Sequence, residues 1–208
     1  MTDPSVSRPH LPLRDPPEEA DLETRERILR TAYELFTQDG FTAVGVDRIV
    51  ADAGVAKTSL YRHFHSKDDL VVAVLERHEV LWTKGLLEAE SKHRASRPED
   101  RPAALLDVFD EWLRDDGYAG CLFINSALEA HGRSPAIRAA ALTALERVYE
   151  LLRRFSEEAH LSEPSSLAHQ LQIVFRGSIV AAREGNFAAV DEGRALALQL
   201  LEQRGAHG

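Results

Sequence analysis

At 208 residues, 44% hydrophobic and 28% charged, the chain is long enough for one large or two small domains that each bury a core. Its formal net charge of −9 argues against holding nucleic acid by bulk positive charge, and its single cysteine, Cys121, excludes an internal disulfide framework and fits a reducing cytoplasm. No apolar run reaches membrane-spanning length and no apolar signal region opens the chain, so a soluble, cytoplasmic protein with no membrane partner is expected.

Residues 1–20 carry Pro4, Pro9, Pro12, Pro16 and Pro17, with Val6, Leu11 and Leu13 almost alone as apolar residues. Such a stretch forms neither helix nor core and reads as a flexible arm. Arg8, His10 and Arg14 leave two readings open, an arm that reaches into a DNA minor groove or a plain tail.

From Leu22 to Gln38 the residues Ile28, Leu29, Ala32, Leu35 and Phe36 make one helical stripe, with Arg25, Arg27 and Arg30 around the rest. Thr24 at its start is a helix cap, with or without a phosphate contact. Asp39, Gly40 and Phe41 end the helix, and Thr42 lies in the following loop, where its hydroxyl can meet phosphate.

Val46 to Ala53 repeats apolar residues at Val46, Ile49, Val50 and Ala53, one face of a helix, and Gly54 follows where a left-handed residue is wanted. Val55 plugs the corner. A second short helix then runs from about Ala56 through Phe64, turning Leu60 and Phe64 inward and Thr58, Ser59, Tyr61 and Arg62 outward, with Lys57 in its first turn. A helix of this kind laid in a major groove offers hydroxyls, a phenol and cations to base edges and phosphates together. The acids Asp47, Asp52, Asp68 and Asp69 are expected on sides turned away or at helix N-termini, where the dipole favours them. Ser66 is a good N-cap for a new helix, which puts Lys67 in its first turn near the DNA backbone. The lack of a basic tract predicts modest nonspecific affinity.

The run GVAKTSLYRHFHSKDDL resembles the recognition helix and fourth-helix start of the TetR/AcrR family of bacterial transcriptional regulators, and TRERILRTAYELFTQDGF resembles that family's first helix. The likeness covers about the first third of the chain. Gly54, Val55, Lys57, Thr58, Leu60, Tyr61, His63, Phe64, Ser66 and Lys67 fall on the family's pattern. Gly45 and Ala56 depart from it, standing where the family often has a threonine and a serine. Backbone N–H groups are expected to take over those two phosphate contacts. The resemblance implies double-stranded DNA as a partner, with Thr24, Thr42, Lys57, Thr58, Ser59, Tyr61, Arg62, His63 and Lys67 as the candidate contacts.

Beyond Ser66 one helix pattern runs to about His93, long enough to join two domains as a lever. Ser96, Arg97 and Pro98 mark a loop. Helices are then expected at Pro102 to Arg114, Gly120 to Ala130, Ser134 to about His160, Ser165 to Glu184 and Phe187 to Gln203, with no sustained strand alternation. The expected fold is all-α with about nine helices: a Pro-rich arm over 1–20, a helix-turn-helix DNA-binding domain over 21–67, and a helical ligand-binding and dimerisation domain over 68–208.

A sensor cavity between helices needs apolar walls and a few polar anchors. Trp82, Leu86, Phe109, Trp112, Tyr118, Phe123, Tyr149 and Phe175 are candidate walls, and Cys121, Asn125, Glu129, His131 and Arg176 candidate anchors; any one aromatic taken alone reads more readily as ordinary core. Cys121, Asn125 and Leu128 follow an i, i+4, i+7 line that would turn thiol and amide toward one cavity. GCLFINSALEA also resembles the sixth helix of TetR-type ligand domains, more weakly than the first two runs.

Leu167, Leu171, Val174, Phe175, Ser178, Ile179 and Ala182, with Leu196, Leu198, Leu200 and Leu201, suggest broad apolar faces on the last two long helices. By the resemblance these would close a four-helix homodimer interface. Paired readers about 34 to 36 Å apart would then read a palindrome. The expected function is a ligand-responsive regulator, a repressor released from its operator by a small, largely apolar effector. The alternatives are an activator, or a response to a metal or a protein partner.

No enzyme, cofactor or metal site is expected. Cys121 and His131 lie too far apart along a helix for a nucleophile and base. His63, His65, His78, His93, His131 and His160 show no ligand spacing.

Overall fold

The computed structural model describes residues 24–205, so the arm over 1–20 and its Arg8, His10 and Arg14 lie outside the described residues. Within them the chain is all helical. The first three helices are α1 (Thr24–Asp39), α2 (Val46–Asp52) and α3 (Lys57–His63). Then comes one unbroken helix over residues 67–94, here α4, which is α-helical over Lys67–Glu79, π-helical over Val80–Glu88 and α-helical again over Ala89–Arg94. A single 3-10 turn, Pro98–Asp100, leads into α5 (Arg101–Leu113), followed by α6 (Leu122–Glu129), α7 (Pro135–Glu158), α8 (Pro164–Arg183) and α9 (Phe187–Gly205).

The ends of these helices follow from single residues. Ser66 caps α4 by accepting the Asp69 N–H at 3.0 Å, Ser134 accepts from the Ile137 N–H, and Pro135 and Pro164 open α7 and α8 without wasting a donor. Gly40 and Gly54 close α1 and α2 in the left-handed region, at φ +79° and +62°.

Ile28, Ile49, Leu60 and Leu70 are fully buried where α1, α2, α3 and the start of α4 meet. Arg77 of α4 donates to the Glu26 carboxylate of α1 at 2.8 Å, tying the reading unit to the lever. The π-helical stretch was not visible in the hydrophobic spacing, because Trp82, Thr83, Leu86 and Leu87 keep an inward face through it.

Two expectations are corrected. The sixth helix begins at Leu122 rather than Gly120, since Gly120 takes φ +95° and Cys121 is an extended N-cap. The apolar face expected to meet a partner on α8 is turned inward: Leu167, Leu171, Phe175, Ser178, Ile179 and Ala182 are buried in this protomer. A long helix packed on two neighbours shows a wide apolar arc, and spacing alone does not say which part meets solvent. The outer stripe of α8 is instead Ile173, 69% exposed, with Gly177 and Val180, 53% exposed; on α9 Leu196 is 47% exposed. The two helices cross closely, and a Cβ on Gly193 would stand 2.5 Å from the Ser178 hydroxyl oxygen.

Candidate nucleic-acid interface and effector pocket

The reading unit is built around Leu60. It is fully buried, Phe64 nearly so, and α3 therefore presents its other side outward. Lys57, Thr58, Tyr61, Arg62 and His63 are exposed and Ser59 is half-buried beside them. The corner is held by the backbone, with the Val55 N–H donating to the Val50 carbonyl at 3.0 Å and Gly54 to Ala51 at 3.2 Å. Neither Gly45 nor Ala56 caps its helix with a side chain, so the opening amides of α2 and α3 point outward unclaimed by a hydroxyl.

The electrostatics of this face differ from the sequence expectation at one point. Asp47 lies in the first turn of α2, one of the two expected placements, but it also pairs with Lys57 at 2.6 Å. That hydrogen bond and its charge raise the Lys57 pKa above the ordinary lysine value. Arg48 is likewise held by Asp39 at 2.6 Å and Asp52 at 3.8 Å. Lys67 sits at the start of α4, where partial burial lowers its pKa while Asp68 and Glu129 act the other way. The Thr24 hydroxyl accepts from Arg27 at 3.4 Å, and Thr42 is exposed. Arg25, not singled out from sequence as a contact, stacks its guanidinium 5.3 Å from the Phe64 ring centre, on the edge of the reading unit.

Deeper in the molecule an apolar cavity of about 30 Å³ is walled by Trp82, Phe109, Trp112, Phe123 and Phe175, with Cys121, Gln172 and Arg176 at its polar points. Phe109 and Phe175 stack at 3.9 Å and 9°, and Trp82 meets Trp112 at 4.4 Å. That space holds no more than a few waters, so an organic effector must spread the walls. Burial raises the Cys121 pKa, which keeps it a thiol and a poor nucleophile.

Seven of the thirteen candidate wall and anchor residues thus share one cavity: Trp82, Phe109, Trp112, Cys121, Phe123, Phe175 and Arg176. The other six stand elsewhere. Leu86 is buried without lining the cavity, Asn125 is half-buried beside Gly120, and Tyr149 packs against His169 at 4.4 Å. The i, i+4, i+7 line fails because Cys121 is an extended cap, out of phase with the helix it precedes, and Leu128 at its far end is 71% exposed. Of the remaining anchors, His131 is exposed and Glu129 reaches the other way, accepting the Thr42 N–H at 2.9 Å. Tyr118 donates its hydroxyl to the Ile179 carbonyl at 2.8 Å, and no spacing rule could have found either long-range bond. Among the described residues no three His, Cys, Asp or Glu side chains are grouped to hold a metal ion, and no helix is long and apolar enough to cross a membrane.

Comparison with known proteins adds two family models. Residues 28–74 match the model of bacterial regulatory proteins of the tetR family, and residues 98–186 match the tetracyclin repressor-like C-terminal domain. The chain is similar to the transcriptional activator FasR of Mycolicibacterium smegmatis, 33% identical over 66% of this chain and 63% of that protein. It is similar to the transcriptional regulator AcuR of Cereibacter sphaeroides, 29% identical over 88% of each. The crystal structure of the reduced form of Escherichia coli NemR, a transcriptional repressor, superposes with a TM-score of 0.75 at 28% identity, covering 85% of this chain and 97% of that one.

Proposed function

The chain belongs to the TetR family of ligand-responsive helix-turn-helix regulators, and from that membership we propose that it is a repressor, a homodimer that binds a palindromic operator and is released by a small, largely apolar effector. The observation that carries the DNA half is the outward set Thr58, Tyr61 and Arg62 arranged around the buried Leu60. In this reading the domains divide at residues 67 and 68. Thr58 and Ser59 read base edges, while Tyr61, Lys67, Thr24 and Thr42 hold phosphates; Lys57, Arg62 and His63 add charge or hydrogen bonds beside them.

The effector half rests on the aromatic cavity under Trp82 and Trp112. A ligand that spreads those walls presses on Cys121 and Phe123 at the head of α6, whose last residue, Glu129, holds the loop ahead of α2. It also presses on the π-helical part of α4, which carries the start of the reading unit's support. Either path shifts the two readers of a dimer off their spacing, and a coupling of about 1 to 3 kcal/mol suffices to release DNA. The dimer is proposed through the outer stripe Ile173, Gly177 and Val180 with Leu196.

An activator is the second reading, favoured by the name of the relative from M. smegmatis. A gel shift on the gene's own upstream region, followed by selection of bound sites from random DNA and a reporter assay, tests all of this. A palindrome whose occupancy lowers transcription is expected. A protein that ignores every palindrome, or that raises transcription when bound, overturns the repressor reading.

A further inference from the structure

A second cavity, of about 180 Å³, lies apart from the effector pocket, between α1 of the reading unit and the loop that joins α5 to α6. Its walls are the rings of Tyr33, Trp112 and Tyr118 over His78, and its α1 rim carries Glu34 and Gln38. Trp112 is the partition, facing this cavity and the effector pocket alike. His78 meets Tyr33 at 4.8 Å and Phe123 at 5.0 Å, tilted by 38° and 42°. Its Nδ1 has no hydrogen-bond partner among the described residues, an unusual state for a buried ring nitrogen.

These observations select a class of ligand. Cavities of about 150 Å³ hold a benzene-sized ring, so this one takes a single ring with a short substituent. Aromatic faces on several sides favour a flat ring or a cation laid against them. Among the lining residues Glu34 is the one with a formal charge, negative and exposed, which favours an ammonium over a carboxylate; Arg183 passes beside Gly120 without lining the cavity. We propose that this junction cavity is a second binding site, for a small aromatic amine, with the ring between Tyr33, Trp112 and Tyr118 and the ammonium at Glu34. Burial keeps His78 neutral, with its pKa lowered to about 3, so the ring itself adds no positive charge to the site. The site stands apart from the regulatory reading, since it is defined by binding alone.

Calorimetric titration of the full chain with benzylamine, benzyl alcohol and phenylacetate tests it. Benzylamine is expected to bind, benzyl alcohol to bind about threefold to fivefold more weakly for want of an exposed ion pair, and phenylacetate weakest of the three. Glu34→Gln should bring benzylamine to the level of benzyl alcohol. Ala119→Leu, which narrows the cavity, should abolish both, with its thermal melt checked against the parent. Nuclear Overhauser contacts should run from the benzylamine ring to Tyr33 and Tyr118. The proposal is overturned if benzylamine shows no binding, if Glu34→Gln leaves its affinity unchanged, if phenylacetate binds as well, or if the contacts fall on Phe109 and Phe175 instead.

Discussion

The Thr42 N–H donates to the Glu129 carboxylate at 2.9 Å, a bond between residues 87 positions apart that fastens the loop ahead of α2 to the last turn of α6. The same carboxylate fills the space over Gly40, where a Cβ would stand 2.5 Å from Oε1. Because α6 begins at the wall of the aromatic cavity and ends against the loop ahead of α2, this one side chain connects the two.

Glu129→Ala is therefore expected to lower stability by about 0.5 to 1.5 kcal/mol, the usual worth of one such bond, and to speed hydrogen exchange at the Thr42 amide. Glu129→Gln keeps an acceptor and should restore most of the protection. Gly40→Ala should cost about 1 to 3 kcal/mol, since Gly40 sits at φ +79° and the added methyl meets Glu129. Exchange rates and denaturant midpoints check all three, and unchanged Thr42 exchange in Glu129→Ala would remove the connection.

The exposed side of α3 and the first turn of α4 divide by chemistry. Tyr61 and Lys67 offer a phenol and an ammonium suited to phosphate oxygens, so Tyr61→Phe and Lys67→Ala should weaken binding to every sequence alike. Lys67→Ala should also flatten the salt dependence by about 0.9 in log–log slope. Changes at Thr58 or Ser59 should alter base preference instead. A Lys67→Ala protein that changes only preference would remove the phosphate assignment.

Asp47 restrains Lys57 in the free protein, because the ammonium must leave a carboxylate 2.6 Å away before it meets a phosphate. Asp47→Asn should raise affinity for nonspecific DNA and steepen its salt slope by about 0.9, as one more cation becomes available. Fluorescence anisotropy at several salt concentrations reads both. An unchanged slope would mean that Lys57 never turns to the backbone.

The reading unit was legible in the sequence because each of its features is local: the spacing of Ile49 and Leu60, the left-handed Gly54, the Ser66 cap. The helical phase of α8 was legible too, but not its direction. Leu171 and Ile173 are both apolar, and only the packing of α7 and α9 decides that the first is buried and the second exposed. Asn125 and Leu128 fall off the expected line because Cys121 stands one residue before the helix starts, so helical spacing does not run through it. Glu129 and Asp47 carried no signal at all, since their partners are set by tertiary contact and by a turn.

If the outer stripe of α8 forms the proposed dimer, a charge placed there is buried without a partner on both sides of the two-fold axis. Ile173→Arg and Val180→Asp are expected to yield monomers by analytical ultracentrifugation, with far-ultraviolet circular dichroism unchanged because neither residue belongs to the protomer core. Operator affinity should fall with them, as one reader alone covers one half-site. A dimer that survives both changes lies on another face.

His78 makes stability depend on acid. Its pKa falls from the ordinary 6.5 to about 3 in the folded protein, chiefly through burial and secondarily through the Arg77 charge. Between those values the unfolded chain binds a proton that the folded one refuses, so stability rises with pH across that window. Above pH 6.5 both states are neutral and the contribution is full and flat; as pH falls toward 3 it is lost, by at most about 1.4 kcal/mol per pH unit from this one group. His78→Phe keeps an aromatic ring between Tyr33 and Phe123 and removes the titration. Denaturant midpoints measured from pH 7 to pH 4 should therefore fall more steeply for the parent than for His78→Phe, and equal slopes would show that the ring is hydrated and charged in the folded state.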